Sequence, residues 1–181
     1  MLKQFKETIL FLVKFAIFYV ALTATYDYYL SSFKSESFHQ SDSMTVEVAA
    51  ESAHLAEYLG GTSDIMQNDF EPSVRFVLND MERIKIIEGC NGVSVMIIFV
   101  TFVLAFGGRL IYTILFIPTG VLIIHIFNVF RITALAYLYN YDLDIAKIAH
   151  DYVFQPFIYG VVFLLWIVWV NYFSDLSSEK A

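Results

Sequence analysis

The stretch Ile86–Phe99, IIEGCNGVSVMIIF, changes character in its middle. Up to Glu88 the chain is polar and rich in charge; from Val93 onward it is apolar. Cys90, the single cysteine of the chain, sits on that boundary between Gly89 and Gly92. A boundary of this kind reads as the point where a polar segment enters a membrane-embedded helix.

Outward from this point, three more apolar blocks appear: Thr8–Leu30, Leu110–Phe130 and Val153–Phe173. About 20 residues suffice to cross a bilayer as a helix. The block after Cys90, Val93–Phe106, is the shortest and borrows Gly107 and Gly108 or begins at Asn91 to reach across. Composition agrees: 58% of the 181 residues are hydrophobic and 18% aromatic, with a mean hydropathy of +0.62, above the apolar share of an average soluble domain. The expected fold is an all-α integral membrane protein with about four transmembrane helices.

The net charge of -7 and the lack of any basic patch argue against nucleic acid as a partner. One cysteine forms no internal disulfide and is too few for a thiolate metal cage. There is no HExxH, Walker glycine loop, GxGxxG or internal repeat, so neither metal nor cofactor is expected.

Orientation follows from the basic residues. Lys3, Lys6 and Lys14 lie in the first block or before it, Arg109 in the turn between the second and third, and Lys180 in the tail. The positive-inside rule assigns all of these, and both termini, to the cytoplasm. Lys14 and the length of the block favour an uncleaved anchor over 1–30 rather than a removed signal peptide. The acidic segment 31–89 is then extracytoplasmic, 90–173 forms a three-helix membrane core, and 174–181 is a cytoplasmic tail. Within the outer segment, MTVEVAAESAHLAEYLGG predicts an amphipathic helix with Val46, Ala49, Ala50, Ala53, Ala56 and Leu59 on its apolar face, stopped at Gly60. SVRFVLND and RIKIIEG predict a hairpin turning at Asn79-Asp80.

Ionisable residues at membrane depth are costly unless paired or facing a wet cavity. Cys90 begins the second span, Arg131 ends the third, and His150 in IAKIAHDYVF precedes the fourth; the topology puts all three on the outer side. A thiol with a pKa near 8.5 is mostly protonated at neutral pH, and a nearby cation favours its thiolate. Histidine shuttles protons at this pH, and arginine stabilises a thiolate or an oxyanion. Gly89 and Gly92 leave room for a peptide to approach the sulfur. Taken singly, each residue also has a bland role: a small apolar filler, a snorkelling cation, an interfacial imidazole. Asn128 shares the face of Arg131 one turn away and would orient the guanidinium or bind substrate backbone. His125, deeper in the helix, suits packing or a wet cavity. Asp151 and His150, as neighbours on a helix, should point apart. Thr133–Ala149 either continues the third helix past the bilayer or folds back along the surface.

EGCNG, NVFRI and AHDYVF, in this order and spacing, resemble the exosortase/archaeosortase family, and within it the short branch called exosortase F. The resemblance covers about Glu88–Phe173, with the outer segment outside the shared core. It implies a cysteine protease/transpeptidase in the bacterial cytoplasmic (inner) membrane with its site on the extracytoplasmic side. Cys90 would be the nucleophile, Arg131 the oxyanion or thiolate stabiliser and His150 the proton shuttle, supported by Asn128, Gly89, Asn91 and Gly92. The implied partners are exported proteins ending in a short motif, a membrane helix and a basic tail, and membrane lipid or another surface carrier as acceptor. The alternative is a non-enzymatic assembly or chaperone subunit that binds transmembrane helices. A thiol redox role is disfavoured, because no second cysteine exists to resolve a disulfide.

Overall fold

The computed structural model describes residues 2–35 and 38–174. The tail beyond Ser174, with Lys180, lies outside the described residues. Helix α1 (Leu2–Ser31) is followed by two short paired strands, β1 (Lys34–Ser35) and β2 (Phe38–His39), and helix α2 (Ser43–Tyr58). An antiparallel sheet comes next: β3 (Ser63–Gln67), β4 (Ser73–Leu78) and β5 (Met81–Ile87), in the order β3-β4-β5. The rest is helical: α3 (Val93–Phe106), α4 (Leu110–Tyr141), α5 (Leu143–Ile148) and α6 (Gln155–Val168). Two π-helical stretches, Ala149–Phe154 and Trp169–Phe173, join α5 to α6 and extend α6.

Three helical runs are long and apolar enough to cross a bilayer: Phe5–Ser31, Leu110–Tyr141 and Leu143–Phe173. The second expected span, Val93–Phe106, has 14 residues and rises about 21 Å, short of a hydrocarbon core of about 30 Å. Gly107 ends it rather than lengthening it: its φ of 80° is a left-handed setting that glycine adopts freely. The third block also differs from expectation. Its helix does not stop near Phe130 but continues to Tyr141. The last run begins at Leu143, after Asp142 caps α5 by accepting from the amides of Asp144 and Ile145. Thr133–Ala149 therefore prolongs α4 to Tyr141 and then turns at Asp142 into the return helix, which forms one run with the last span rather than a separate helix along the surface.

The helices share an aromatic core of Phe99 and Val103 from α3, Ile124 from α4, and Ile158, Val162 and Trp169 from the last run. Gly120 lets α3 and α4 approach closely, since a Cβ there would collide with the Phe99 ring; this glycine does not offer an open groove to a substrate helix. Gly160 has nothing within 4 Å of a Cβ position. Helix α1 packs on α3, with Phe11 edge-on to Phe102 and Phe106 at 5.7 and 5.6 Å.

A second core lies where α4 leaves the bundle. Val48, Ala49, Ala53 and Ala56 of α2 and Val74, Phe76 and Leu78 of β4 close over Ile132 and Ala136 of α4. The inward face of α2 carries Thr45, Val48, Ala49, Ser52, Ala53 and Ala56, one residue round from the expected face; Leu59 is 58% exposed. Thr45 and Ser52 can be buried because their hydroxyls bond to Asp42 and to the Val48 carbonyl, which removes the cost of hiding a polar group. The β4–β5 hairpin turns at Asn79-Asp80 as expected, with φ of 52° and 61°, the setting of a type I′ turn. A third strand, β3, completes the sheet.

Candidate active site

The turn that carries Cys90 is fixed from three directions. Glu88–Cys90 forms one 3₁₀ turn, and Gly92 follows at φ 84°. A Cβ on Gly92 would come within 3.1 Å of the Asn128 amide, so both the backbone setting and the close approach require glycine. Asn91 is fully buried. Its Oδ1 accepts from the Val93 amide at 2.9 Å, where α3 begins. Its Nδ2 donates to the Tyr26 hydroxyl at 2.9 Å and to Thr45 Oγ1 at 3.2 Å. Asn91 thus ties the turn to α1 and α2. Gly89 has open space around its Cβ position.

From the other side, Asn128 Nδ2 donates to the Cys90 carbonyl at 3.0 Å and Arg131 Nη2 donates to the same oxygen at 3.3 Å. Helix geometry explains the reach. Arg131 lies about 31 Å along α4 from Leu110, roughly one bilayer thickness, whereas α3 climbs about 21 Å from the shared turn. The segment 88–92 spans the difference. Asn128 is 1% exposed, and its Oδ1 has no hydrogen-bond partner. Its bonded partner is the main chain of the cysteine turn rather than the Arg131 guanidinium.

Cys90, Arg131 and His150 line one cavity of about 240 Å³. One wall is α4, through Arg131, Ile132, Leu135 and Tyr139; the facing wall is β5, through Arg83 to Ile86. The sheet wall belongs to the segment 31–89, whose role the sequence left open. A signal was available in the direct run from the second hairpin strand into Cys90. His150 lies inside the last helical run, on its π-helical stretch. Its Nδ1 is 2.8 Å from Asp151 Oδ1, contrary to the expectation that these neighbours diverge; a π turn is wider than an α turn. With the proton on Nδ1 donated to Asp151, Nε2 is the free basic nitrogen. His125 is not in the cavity lining and pairs with Glu51 of α2.

A thiol, a cation and an imidazole held by Asp151 around one cavity have the equipment for acyl transfer through sulfur. Among the described residues no His, Cys, Asp and Glu cluster could hold a metal ion.

The fold and cavity define an integral membrane protein in which a helical bundle carries a small sheet at one end. The chain belongs to the transmembrane exosortase family, whose model (Exosortase_EpsH) matches residues 5–172. That match starts in α1 and runs through the segment 31–89, so it is wider than the carboxyl-terminal half on which the resemblance rested. No curated protein and no solved structure matches the chain. The family points to a membrane protein that processes sorting signals, and so to substrate proteins that carry them.

Proposed function

We propose that this chain is a thiol peptidase/transpeptidase of the exosortase F type that cuts carboxyl-terminal sorting signals at the outer face of the bacterial inner membrane. The observation that carries this reading is the common cavity of Cys90, Arg131 and His150. The Cys90 thiol passes its proton to His150, and the sulfur attacks the scissile carbonyl. Arg131 balances the negative charge that moves from sulfur to the carbonyl oxygen. As the tetrahedral intermediate collapses, the carbon–nitrogen bond breaks and His150 returns its proton to the leaving amine. The resulting thioester is released by water or by a nucleophile on a surface carrier, which restores the thiol. Asp151 holds the imidazole, while Asn128 and Gly92 hold the cysteine turn.

The basic residues Lys3, Lys6, Lys14 and Arg109 support cytoplasmic placement of the opposite end of the bundle. A substrate anchored by its own helix then arrives at the depth of the cavity, which raises its effective concentration there. The test is Cys90→Ser in cells that export a tagged protein with a motif, membrane helix and basic tail. Uncut precursor at normal abundance of the variant is the expected result. Unchanged processing would favour a non-catalytic subunit that binds membrane helices. A membrane-impermeant thiol reagent should label Cys90 from outside, and labelling only after permeabilisation would reverse the orientation.

A further inference from the structure

We propose that the free edge of β5 receives the substrate as an added β-strand and leads it to Cys90; this rests on the peptidase reading above. Three observations carry it. β5 is the last strand of the sheet, and outside its ladder with β4 no hydrogen bond among the described residues reaches a main-chain group of Met81–Ile87. In an antiparallel sheet alternate residues of an edge strand turn their amides and carbonyls away from the partner, ready for another strand. The bulge in the ladder sits at Phe76/Val77, toward the hairpin turn, and the register from Ile84 to Ile87 is regular.

The edge also points at the thiol. β5 ends at Ile87 and Cys90 closes the next turn, so a strand paired with Ile84–Ile87 runs within about three residues, roughly 10 Å, of the sulfur. The cavity is bounded by this strand on one side and by Arg131 and Leu135 on the other. An extended segment entering there gains main-chain bonds from β5 and side-chain selectivity from the cavity. Finally, Arg83, Lys85, Arg131 and His150 line the cavity; Lys85 is paired with Glu71 and His150 with Asp151, which leaves Arg83 and Arg131 as lining cations outside any ion pair among the described residues, in a chain of net charge -7. The added strand therefore carries an acidic side chain toward Arg131, with apolar neighbours against Ile84 and Leu135. Lys85 discourages indiscriminate pairing of this edge, as lysines on edge strands do.

Full-length Cys90→Ser protein contains no cysteine, so Lys85→Cys in that background gives a single thiol on the edge. It is co-expressed with an exported protein bearing a tripartite tail, with single cysteines moved one residue at a time through the segment before the tail helix. Strand addition predicts disulfide adducts at every second position, with the intervening positions at background. Ile84→Cys should give the same alternation offset by one residue. Adducts every third or fourth position, a flat pattern, or none with either variant overturns the proposal. Processing lost in Cys90→Ser together with a non-alternating pattern overturns strand addition and leaves the peptidase standing. Alternating adducts with processing intact in Cys90→Ser support strand addition and overturn the peptidase.

Discussion

The two cores of this molecule are built by different forces. Between the helices, Phe99, Val103, Ile124 and Trp169 pack without a mutual hydrogen bond, and the Thr101 hydroxyl and both indole nitrogens have no partner there. In the core under α2 and the sheet, Thr133 donates to the Ser52 carbonyl at 3.1 Å and Tyr137 to the Ala56 carbonyl at 2.9 Å. Lipid tails solvate apolar side chains as well as protein does, so helices in a bilayer associate by shape. A core that shuts out water gains from the hydrophobic effect and also uses directional bonds to set its register. One helix, α4, serves both, and the cysteine turn sits where they meet.

The difference predicts unequal responses to the same lesion. Phe76 and Phe99 are both fully buried. Phe76→Ala should cost about 3–5 kcal/mol, because it loses transfer free energy and leaves a cavity. Phe99→Ala in a bilayer loses mainly the cavity contribution, about 2 kcal/mol. Denaturation in lipid, following each core by its own probe, would compare them; equal losses would mean that the bundle core is also water-driven.

At the seam, Arg131→Lys tests whether the cation is only an anchor. It replaces a planar fork by a point charge. Turnover per folded molecule should fall about 10²–10³-fold, in line with the loss of one oxyanion donor, with abundance little changed. Normal processing by this variant would reduce Arg131 to a cation at the membrane surface.

Shape-based packing has its own signature. Gly120→Leu drives a side chain into the Phe99 ring and should destabilise by about 1–3 kcal/mol. Gly160→Leu, which meets nothing within 4 Å, should be nearly silent when measured alongside it. Comparable losses would place an unseen partner against Gly160.

The same division explains what the sequence revealed. The apolar blocks were legible because a bilayer demands long runs of one kind, and the hairpin because Asn79-Asp80 can take positive φ. The far reach of α4 was not. Past Phe130 the apolar run thins, yet Ile132, Leu135 and Ala136 are buried, with Ile132 and Ala136 under α2 and the sheet, neighbours that come from distant sequence. β3 was hidden because SDIMQ is polar and largely exposed, with no alternation to mark it. Cys90, Arg131, His150 and Asn128 stood out as polar residues at apolar boundaries; Asn91 did too, but only its partners Tyr26 and Thr45 show that it faces inward. The β5 wall could not be found from residue type, because its contribution comes from placement.

The smallest effect sits on the water-facing rim, where Lys85 Nζ lies 2.8 Å from Glu71 Oε1. The hydrogen bond from the Lys85 ammonium, and then its charge, hold the Glu71 carboxyl below its ordinary pKa. The hydrogen bond to Glu71, and then its charge, raise Lys85 above its own. A depressed carboxyl pKa gives stability that is present above the unfolded-state value and is lost as pH falls through the folded-state value. A raised amine pKa gives stability that is present below the unfolded-state value and is lost as pH rises through the folded-state value. The pair therefore helps between the ordinary carboxylate and ammonium ranges. Both groups are exposed, so the gain is slight and screened by salt. Glu71→Gln should lower the melting temperature of the sheet slightly near about pH 6, and the gap should shrink as pH falls through the carboxyl range. A gap that persists at the acid end would mean that Glu71 acts through its bonds to Asn68 and Ser73 and not through its charge. The water-facing rim would then depend, like the core beneath the sheet, on directional hydrogen bonds.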